Sequence, residues 1–257
     1  MSEPWVLTEP PPPGTKEPYG SAPSQHLWIR RPPGSTRLPT LVMIHGGYWR
    51  AAYDAGHVGH LCADLARRGW ATVALEYRRI GEPGGAWPGT LTDVALALDA
   101  LPGLADRYGL DLPRAVWMGH SAGGHLALWA AGRAATKQPG TKPWLVVSLA
   151  GVCDLTQAAR LRLSGGAAQL LLGGEPEELP AVYQDADPVH RVPLGVRQLL
   201  VHGTADRDVP LALSENYAAV AVRAGDDCTL WTLPGVDHFA LVDPGSAAWA
   251  AVLDELP

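Results

Sequence analysis

The stretch Ala115-Val116-Trp117-Met118-Gly119-His120-Ser121-Ala122-Gly123 places a serine between a short apolar run and a segment rich in Ala and Leu. The apolar run predicts a strand over Ala115 to Met118, and the following segment predicts a helix over Ala122 to Ala135. The flanking glycines permit a tight strand-to-helix turn in which any side chain would clash. Such a turn exposes the Ser121 hydroxyl as a nucleophile requires; the alternative is a plain turn whose serine caps the helix.

Strands and helices alternate on both sides of this turn. Continuous apolar runs predict strands, and apolar residues spaced three or four apart predict helices. The predicted strands are His26 to Arg30, Leu41 to Ile44, Trp70 to Leu75, Trp144 to Leu149, Gln198 to Val201 and Thr229 to Leu233, and the predicted helices are residues 57–68, 90–101, 211–223 and 246–256. This pattern is typical of a mostly parallel central sheet flanked by helices, so the predicted fold class is α/β.

Two segments interrupt the alternation. Residues 1–24 include four consecutive prolines, Pro10 to Pro13, and proline is excluded from helix interiors and central strands. We interpret them as an extended N-terminal arm. Residues 155–195 are rich in Gly and Pro and predict a small cap insertion over the carboxyl edge of the sheet. The remaining organisation is a single domain over residues 25–257 that contains the cap.

The composition limits the classes of partner. Of the 257 residues, 47% are hydrophobic and 18% are charged, which excludes a disordered chain. The net charge of −6 argues against nucleic acid as a partner, and no apolar run approaches the roughly 18 residues of a membrane helix. The start of the chain lacks the pattern of a signal peptide, so we expect a cytoplasmic protein. Cys62, Cys153 and Cys228 have neither zinc-ribbon nor disulfide-framework spacing.

A candidate acid and a candidate base follow the serine along the chain, each just after a predicted strand. A serine hydroxyl attacks only when a base takes its proton. Asp206 follows the predicted strand at 198–201, and His238 follows the strand at 229–233. Asp208 competes with Asp206 for the role of acid, but it directly precedes Val209-Pro210, which indicates the turn into the next helix. We therefore expect Ser121, Asp206 and His238 to form a catalytic triad.

A glycine pair follows the first central strand, in the stretch His45-Gly46-Gly47-Tyr48-Trp49. Acyl transfer builds negative charge on a carbonyl oxygen, and fixed backbone N–H groups stabilise that charge. We expect an oxyanion hole made by the N–H of Ala122 and one or both of Gly46 and Gly47. The alternative is an ordinary glycine-rich turn.

Other histidines are weaker candidates for chemistry. His57 and His60 lie three residues apart and have the spacing to share a metal, but no third ligand is evident nearby. A surface helix is the favoured interpretation. His120 and His125 flank the serine and are interpreted as packing or hydrogen-bonding residues. We therefore expect neither a metal nor a cofactor.

Two of these motifs resemble those of a known group of enzymes. The stretches His-Gly-Gly-Tyr-Trp at 45–49 and Gly-His-Ser-Ala-Gly-Gly-His-Leu-Ala at 119–127 look like those of α/β-hydrolase esterases of the hormone-sensitive-lipase and kynurenine-formamidase type. Supporting matches are Leu75-Glu76-Tyr77-Arg78, Trp87-Pro88 with Asp93, and Gly151-Val152-Cys153-Asp154-Leu155. The resemblance covers about residues 26–257 and implies the α/β-hydrolase fold, with the triad and oxyanion residues named above.

The resemblance also implies a serine hydrolase without a cofactor that acts on a small-molecule acyl substrate. Tyr48 and Trp49 after the glycines favour the formamidase type, so we first expect an arylformamidase acting on substrates such as N-formylkynurenine. Both aromatic residues are candidate substrate-binding walls, and packing of Trp49 beneath the loop is the alternative. A general short-chain carboxylesterase is the second hypothesis, and a non-catalytic receptor or scaffold is the third. Monomer and homodimer are both compatible with the sequence.

Overall fold

A computed structural model describes residues 4–34, 37–136 and 142–256. These residues form one eight-stranded sheet, whose strands are β1 (Thr15–Pro18), β2 (His26–Arg30), β3 (Leu38–Ile44), β4 (Ala71–Leu75), β5 (Leu110–His120), β6 (Leu145–Leu149), β7 (Arg197–Gly203) and β8 (Cys228–Leu233). Their order across the sheet is β1-β2-β4-β3-β5-β6-β7-β8. The pairs β1–β2 and β2–β4 are antiparallel, and every pair from β4 to β8 is parallel. The predicted α/β class with a mostly parallel sheet is confirmed.

Nine α-helices lie in the described part of the chain: α1 (Trp5–Thr8), α2 (Gly59–Arg67), α3 (Gly89–Tyr108), α4 (Ala122–Thr136), α5 (Leu155–Arg160), α6 (Leu163–Leu172), α7 (Pro180–Ala186), α8 (Leu211–Arg223) and α9 (Ala247–Leu253). Single 3-10 turns occupy Ala55–Val58, Pro188–His190 and Phe239–Leu241. Across residues 4–34, 37–136 and 142–256, no helix has the length and apolar character needed to cross a membrane.

The helix predicted over 90–101 continues through Pro102 to Tyr108 in α3. Proline removes one backbone hydrogen bond from a helix, but Pro102 lies on the exposed side, and Leu98 and Leu101 are buried on the other. Burial of the apolar face therefore outweighs the lost bond, and the helix ends where Gly109 takes a left-handed φ of 65°.

The sheet is buried on both faces, which explains its continuous apolar strands. In β3, Leu41 and Met43 pack into one core cluster and Val42 and Ile44 into the other. Residues of α2 and α9 complete the first cluster, and residues of α3, α4 and α8 complete the second. Alternate side chains of a strand point to opposite faces, so an all-apolar strand needs helices on both sides.

The N-terminal arm is not wholly extended, which corrects the sequence-based interpretation. Residues Trp5–Thr8 form a single helical turn ahead of the four prolines, and Val6 is buried against the domain. β1 pairs with β2 at the edge of the sheet, where a proline at the strand end is tolerated. The Arg30 guanidinium donates hydrogen bonds to the Pro12 carbonyl at 3.1 and 2.9 Å. These contacts hold the arm along the domain.

Residues 155–195 contain α5, α6, α7 and the turn at Pro188–His190. Left-handed backbone at Ser164, Gly165 and Gly166 interrupts the start of α6. The Arg50 guanidinium donates a hydrogen bond to the Ser164 carbonyl at 2.6 Å. This bond ties the helical segment to the loop that follows β3.

Candidate active site

Ser121 lies between the end of β5 and the start of α4, with a φ of 55°. A positive φ is unfavourable for a residue with a side chain, so the surroundings must hold it. The Ser121 N–H donates to the Leu149 carbonyl at 2.8 Å, and the Ser121 carbonyl accepts from the Val152 N–H at 3.1 Å. A Cβ on Gly119 would lie 2.0 Å from the Gly123 carbonyl oxygen. The turn therefore has the geometry of a nucleophile turn and depends on its flanking glycines.

Asp206 and His238 meet at the carboxyl ends of β7 and β8. The Oδ2 atom of Asp206 lies 2.6 Å from Nδ1 of His238 and 3.3 Å from Nε2 of His202. Burial opposes ionisation of Asp206, but hydrogen bonds from His202 and His238 outweigh it and hold the pKa of the carboxyl well below its usual range. An ionised Asp206 assigns the His238 proton to Nδ1, so Nε2 is the atom available to accept a proton from a substrate or a nucleophile.

His202 is a partner of the acid that the sequence analysis missed. Its side chain is fully buried, with Nδ1 2.8 Å from the Ser214 hydroxyl and Nε2 2.9 Å from the Val209 carbonyl. The carbonyl can only accept, so Nε2 carries the proton and also faces Asp206. A histidine inside a strand end gives no sequence signal that separates this role from packing.

Asp208 is placed differently from Asp206. Its side chain is exposed, and its backbone N–H, like that of Val209, donates to Oδ1 of Asp206 at 2.8 Å. Asp206, Asp208 and His238 bring one ligand atom each within 4.8 Å of one another, which is close enough to hold a cation. Both oxygens of Asp206 already accept hydrogen bonds, however, so the arrangement fits an orienting acid better than a metal ligand.

The glycine loop after β3 lies against the nucleophile turn. A Cβ on Gly46 would stand 2.9 Å from the His120 carbonyl oxygen and 3.0 Å from Cβ of Ser121. Gly47 has a φ of 94°, and a Cβ there would clash with the Tyr53 ring. Ala122 is the first residue of α4, so its N–H has no acceptor within the helix. Gly46 and Ala122 therefore both adjoin Ser121, as the donors of an oxyanion hole must.

His45 holds the glycine loop from behind, a role that the sequence analysis did not find. Its side chain is fully buried, with Nδ1 2.9 Å from the Gly46 carbonyl and Nε2 3.1 Å from Glu76. The Tyr77 ring stacks on it at 4.3 Å, and the Tyr77 hydroxyl donates to the His45 carbonyl at 3.0 Å. Burial opposes ionisation of Glu76, but His45 and Arg79 lower the pKa of its carboxyl. In the sequence, the motif Leu75-Glu76-Tyr77-Arg78 at the end of the predicted strand Trp70 to Leu75 was the one signal for this cluster.

The two aromatic residues after the glycines point to different places. Trp49 is fully buried, and its indole N–H donates to Nδ1 of His125 at 3.2 Å. It packs beneath the loop, so the interpretation of Trp49 as a substrate wall is wrong and the packing alternative holds. Tyr48 is partly exposed, and its hydroxyl donates to the Asp208 carbonyl. Tyr48 thus joins the glycine loop to the loop that carries the acid.

His57 and His60 do not lie together on a surface helix. His57 is buried in the 3-10 turn before α2, with Nε2 2.8 Å from Nδ1 of His120. His60 faces the arm, with Nε2 3.0 Å from the Glu9 carbonyl. His57 bonds His120 and His60 bonds the Glu9 carbonyl, so their three-residue spacing does not place the two rings together as ligands of one metal. The turn separates them because the helix begins only at Gly59.

A cavity of about 660 Å³ lies elsewhere, between the arm and the domain. Its walls include Pro10, Trp28, Tyr53 and Glu76, but neither Ser121 nor His238. Cavity size therefore does not mark the sheet edge where the Ser121 turn and the Asp206–His238 pair lie. We place the candidate active site at this edge because of the Ser121 turn and the Asp206–His238 hydrogen bond.

The chain is similar to two curated proteins of Mycobacterium tuberculosis. It is 29% identical over 251 residues to the probable carboxylic ester hydrolase LipM of Mycobacterium tuberculosis, across 92% of this chain and 58% of the relative. It is also 29% identical over 238 residues to esterase LipQ of the same organism, across 86% of this chain and 56% of the relative. The chain thus spans less than three fifths of the length of these two relatives.

Solved structures of esterases share the fold. Esterase B of Lactobacillus rhamnosis superimposes with a TM-score of 0.81 at 22% identity, over 94% of this chain and 84% of that one. A truncated carbohydrate esterase from gut microbiota gives a TM-score of 0.79 at 24% identity, over 93% of each chain. With the eight-stranded sheet, these likenesses show the α/β-hydrolase fold. A family model described as BD-FAE matches residues 28–220, most of the chain, and this protein belongs to the BD-FAE family.

Proposed function

We propose that the chain is a serine carboxylesterase that hydrolyses short-chain acyl esters through an acyl-enzyme. The observation that carries the proposal is the 2.6 Å contact between Asp206 and His238, at the edge of the sheet where the Ser121 turn also lies. The similarity to LipM, a probable carboxylic ester hydrolase, and to esterase LipQ supports ester bonds as the substrate class.

In the first half of the reaction, Oγ of Ser121 attacks the acyl carbonyl carbon and its proton passes to Nε2 of His238. Asp206 accepts a hydrogen bond from Nδ1 throughout and stabilises the imidazolium that forms. Negative charge develops on the carbonyl oxygen, where the N–H groups of Ala122 and of Gly46 or Gly47 stabilise it. The tetrahedral intermediate collapses, and His238 gives its proton to the departing alcohol.

In the second half, water takes the place of the alcohol. His238 accepts a proton from the water, whose oxygen attacks the ester carbonyl of the acyl-enzyme. The second tetrahedral intermediate collapses, the carboxylic acid leaves, and Oγ of Ser121 regains its proton from His238. Water is the only co-reactant, and each proton taken up in one half-step is returned in the next.

The ester class is preferred here to the formamide class that the motifs first suggested. The descriptions of the similar proteins name ester substrates, which favours the carboxylesterase alternative. The structure also removes one argument for a narrow formyl pocket, because Trp49 is fully buried beneath the glycine loop. Of the two aromatic residues that follow the glycines, Tyr48 is the one that is partly exposed, and its hydroxyl already donates to the Asp208 carbonyl.

A substrate series on one leaving group tests this proposal. We expect kcat/KM to stay level or rise from p-nitrophenyl formate through acetate to butyrate. Hydrolysis measured with the Ser121→Ala variant is subtracted from each rate as background. N-formylkynurenine should be hydrolysed more slowly than the best ester. A narrow acyl pocket would lower kcat/KM about tenfold or more per added carbon. That outcome, together with rapid hydrolysis of N-formylkynurenine, would replace the ester proposal by arylformamidase activity.

Labelling with a fluorophosphonate separates enzyme from receptor. The reagent bonds covalently to an activated serine, so we expect stoichiometric labelling that depends on Ser121. Wild-type protein that neither hydrolyses any ester nor reacts with the probe would support a non-catalytic receptor or scaffold instead.

A further inference from the structure

We infer that His120 is a positioning residue for His238, and that His57 fixes the proton arrangement in which His120 acts. The inference deepens the proposed function and rests on His238 being the base. Neither histidine belongs to the triad or offers an oxyanion donor. Both are buried, and their side chains lie in one hydrogen-bonded line that ends on the backbone of the base.

The hydrogen-bonded line from His57 through His120 ends on the backbone carbonyl of His238, the proposed base. Nε2 of His120 lies 2.9 Å from the carbonyl oxygen of His238, and the two rings are 4.4 Å apart between centroids. A carbonyl oxygen can only accept a hydrogen bond, so Nε2 of His120 carries a proton and donates it. This bond connects the residue directly before the nucleophile to the loop of the base, across 118 positions of sequence.

The positions of the other protons on His120 and His57 follow because both rings are uncharged. Burial, followed by the nearby rings of His238 and His57, holds the pKa of His120 well below its usual range, so the ring is neutral and its Nδ1 accepts. Nε2 of His57, 2.8 Å away, is therefore the donor. Burial also lowers the pKa of His57 to about 3, and its bare Nδ1 has no partner among the described residues. Only one arrangement of protons satisfies both bonds.

His57 also lies beside the glycine loop. Its Cε1 atom lies 3.2 Å from where a Cβ on Gly46 would stand. The pair thus runs from the oxyanion loop, past the nucleophile turn, to the base loop. A displacement of about 1 Å between reacting groups can lower the rate about 100-fold. The hydrogen bond from His120 to the His238 carbonyl sets the distance between these loops. We therefore expect its loss to lower kcat and to leave substrate affinity unchanged.

The amides of glutamine and asparagine provide a matched pair of variants. In His120→Gln, the amide nitrogen can reach the position of Nε2 and still donate to the His238 carbonyl. In His120→Asn, the shorter amide reaches only the position of Nδ1, so it can accept from His57 but cannot bond His238. We expect His120→Gln to keep kcat within about threefold and His120→Asn to lose roughly 30-fold in kcat with KM unchanged, because only the second loses the positioning bond.

A double-mutant cycle on kcat tests the role of His57. His57→Leu removes the donor to His120, so it should lower kcat, but in the double variant with His120→Asn it should add little further loss. Unfolding midpoints are measured for all variants. Equal kcat in His120→Gln and His120→Asn, or additive losses in the double variant, would overturn the inference.

The positions of the histidine protons can be measured independently of enzyme activity. In protein labelled with ¹⁵N-histidine, we expect His57 and His120 to show Nε2–H tautomers that do not titrate between about pH 5 and 8, and His238 to show Nδ1–H when neutral. A proton on Nδ1 of His120, or titration of His120 in this window, refutes the inference even in an active esterase. Wild-type protein with these tautomers but without ester hydrolysis or probe labelling refutes the proposed function and, with it, a role in catalysis for the pair.

Discussion

Nδ1 of His238 and Oδ2 of Asp206 are 2.6 Å apart, although 32 residues separate them along the chain. The contact arises because β7 and β8 are parallel neighbours, so the loops after them leave the sheet side by side. Asp206 then reaches His238 with one oxygen while backbone N–H groups hold the other. The relative position of acid and base is therefore a property of the sheet.

Replacement of Ser121 should abolish activity without unfolding the chain. Ser121→Ala removes the only hydroxyl placed in the strand-to-helix turn, and loss of a triad member can reach about 10⁶-fold in kcat. The alanine adopts the same turn, so the unfolding midpoint should change little. Ester hydrolysis and fluorophosphonate labelling are measured together, and retention of more than a few per cent of activity would place the nucleophile elsewhere.

The two neighbouring aspartates should differ sharply. Asp206→Asn replaces an acceptor of the His238 Nδ1 proton by an amide that favours the wrong tautomer, an effect on the order of 10⁴-fold in kcat for a related triad. Asp208→Asn is the matched control, because its side chain is exposed and should change kcat by less than about threefold. Equal losses, measured on the same ester, would refute the assignment of the acid.

Removal of divalent metals should have no effect. Asp206, Asp208 and His238 are close enough to hold a cation, but both oxygens of Asp206 already accept hydrogen bonds from His238 and from backbone N–H groups. We expect EDTA to leave ester hydrolysis unchanged. Inactivation that added zinc reverses would show that these residues bind a catalytic metal.

Alanine at Gly46 should impair catalysis because its Cβ has no room. It would meet the His120 carbonyl oxygen at 2.9 Å, so the glycine loop must move away from Ser121. Loss of one oxyanion donor typically lowers kcat by about 10²–10³-fold. Gly103→Ala in α3 is the control: its Cβ meets nothing within 4 Å, and it should add about 0.5–1 kcal/mol of stability. A Gly46→Ala enzyme with wild-type kcat would exclude this loop from the oxyanion hole.

Asp187 should make the protein less stable as the pH rises from about 4 to 6. Burial and then the charge of Asp154 raise the pKa of the fully buried Asp187 to about 6, against an unfolded value of about 3.9. Between these values the folded state keeps a proton that the unfolded state has lost, so the free energy of unfolding falls by up to roughly 3 kcal/mol.

Asp187→Asn removes this titration. We therefore expect the free energy of unfolding of the variant, relative to that of the wild type, to increase as the pH rises. Urea unfolding of both proteins at several pH values between about 4 and 7 measures this difference. A difference that stays constant across this range would mean that Asp187 ionises normally in the folded protein.

The alternation of strands and helices and the position of the turn at Ser121 could be predicted from the amino-acid sequence alone. Both are local properties. Apolar runs mark strands buried on both faces, and the glycines around Ser121 mark a turn that excludes side chains. The helix predicted over residues 211–223 agrees with α8 at both ends for the same reason. The order of Ser121, Asp206 and His238 along the chain was equally readable, because each follows its own strand.

Which side chains meet could not be predicted from local patterns and became evident from the three-dimensional fold. Asp206 and Asp208 lie two residues apart in one loop, and the fold turns the first onto His238 and leaves the second exposed. Trp49 and His57 carry no local sign that they are buried, yet each packs against a residue of β5 or α4 more than 60 positions away. Local patterns specify backbone conformation, whereas burial and hydrogen-bond partners depend on which strands pair, and that pairing is set by the chain as a whole.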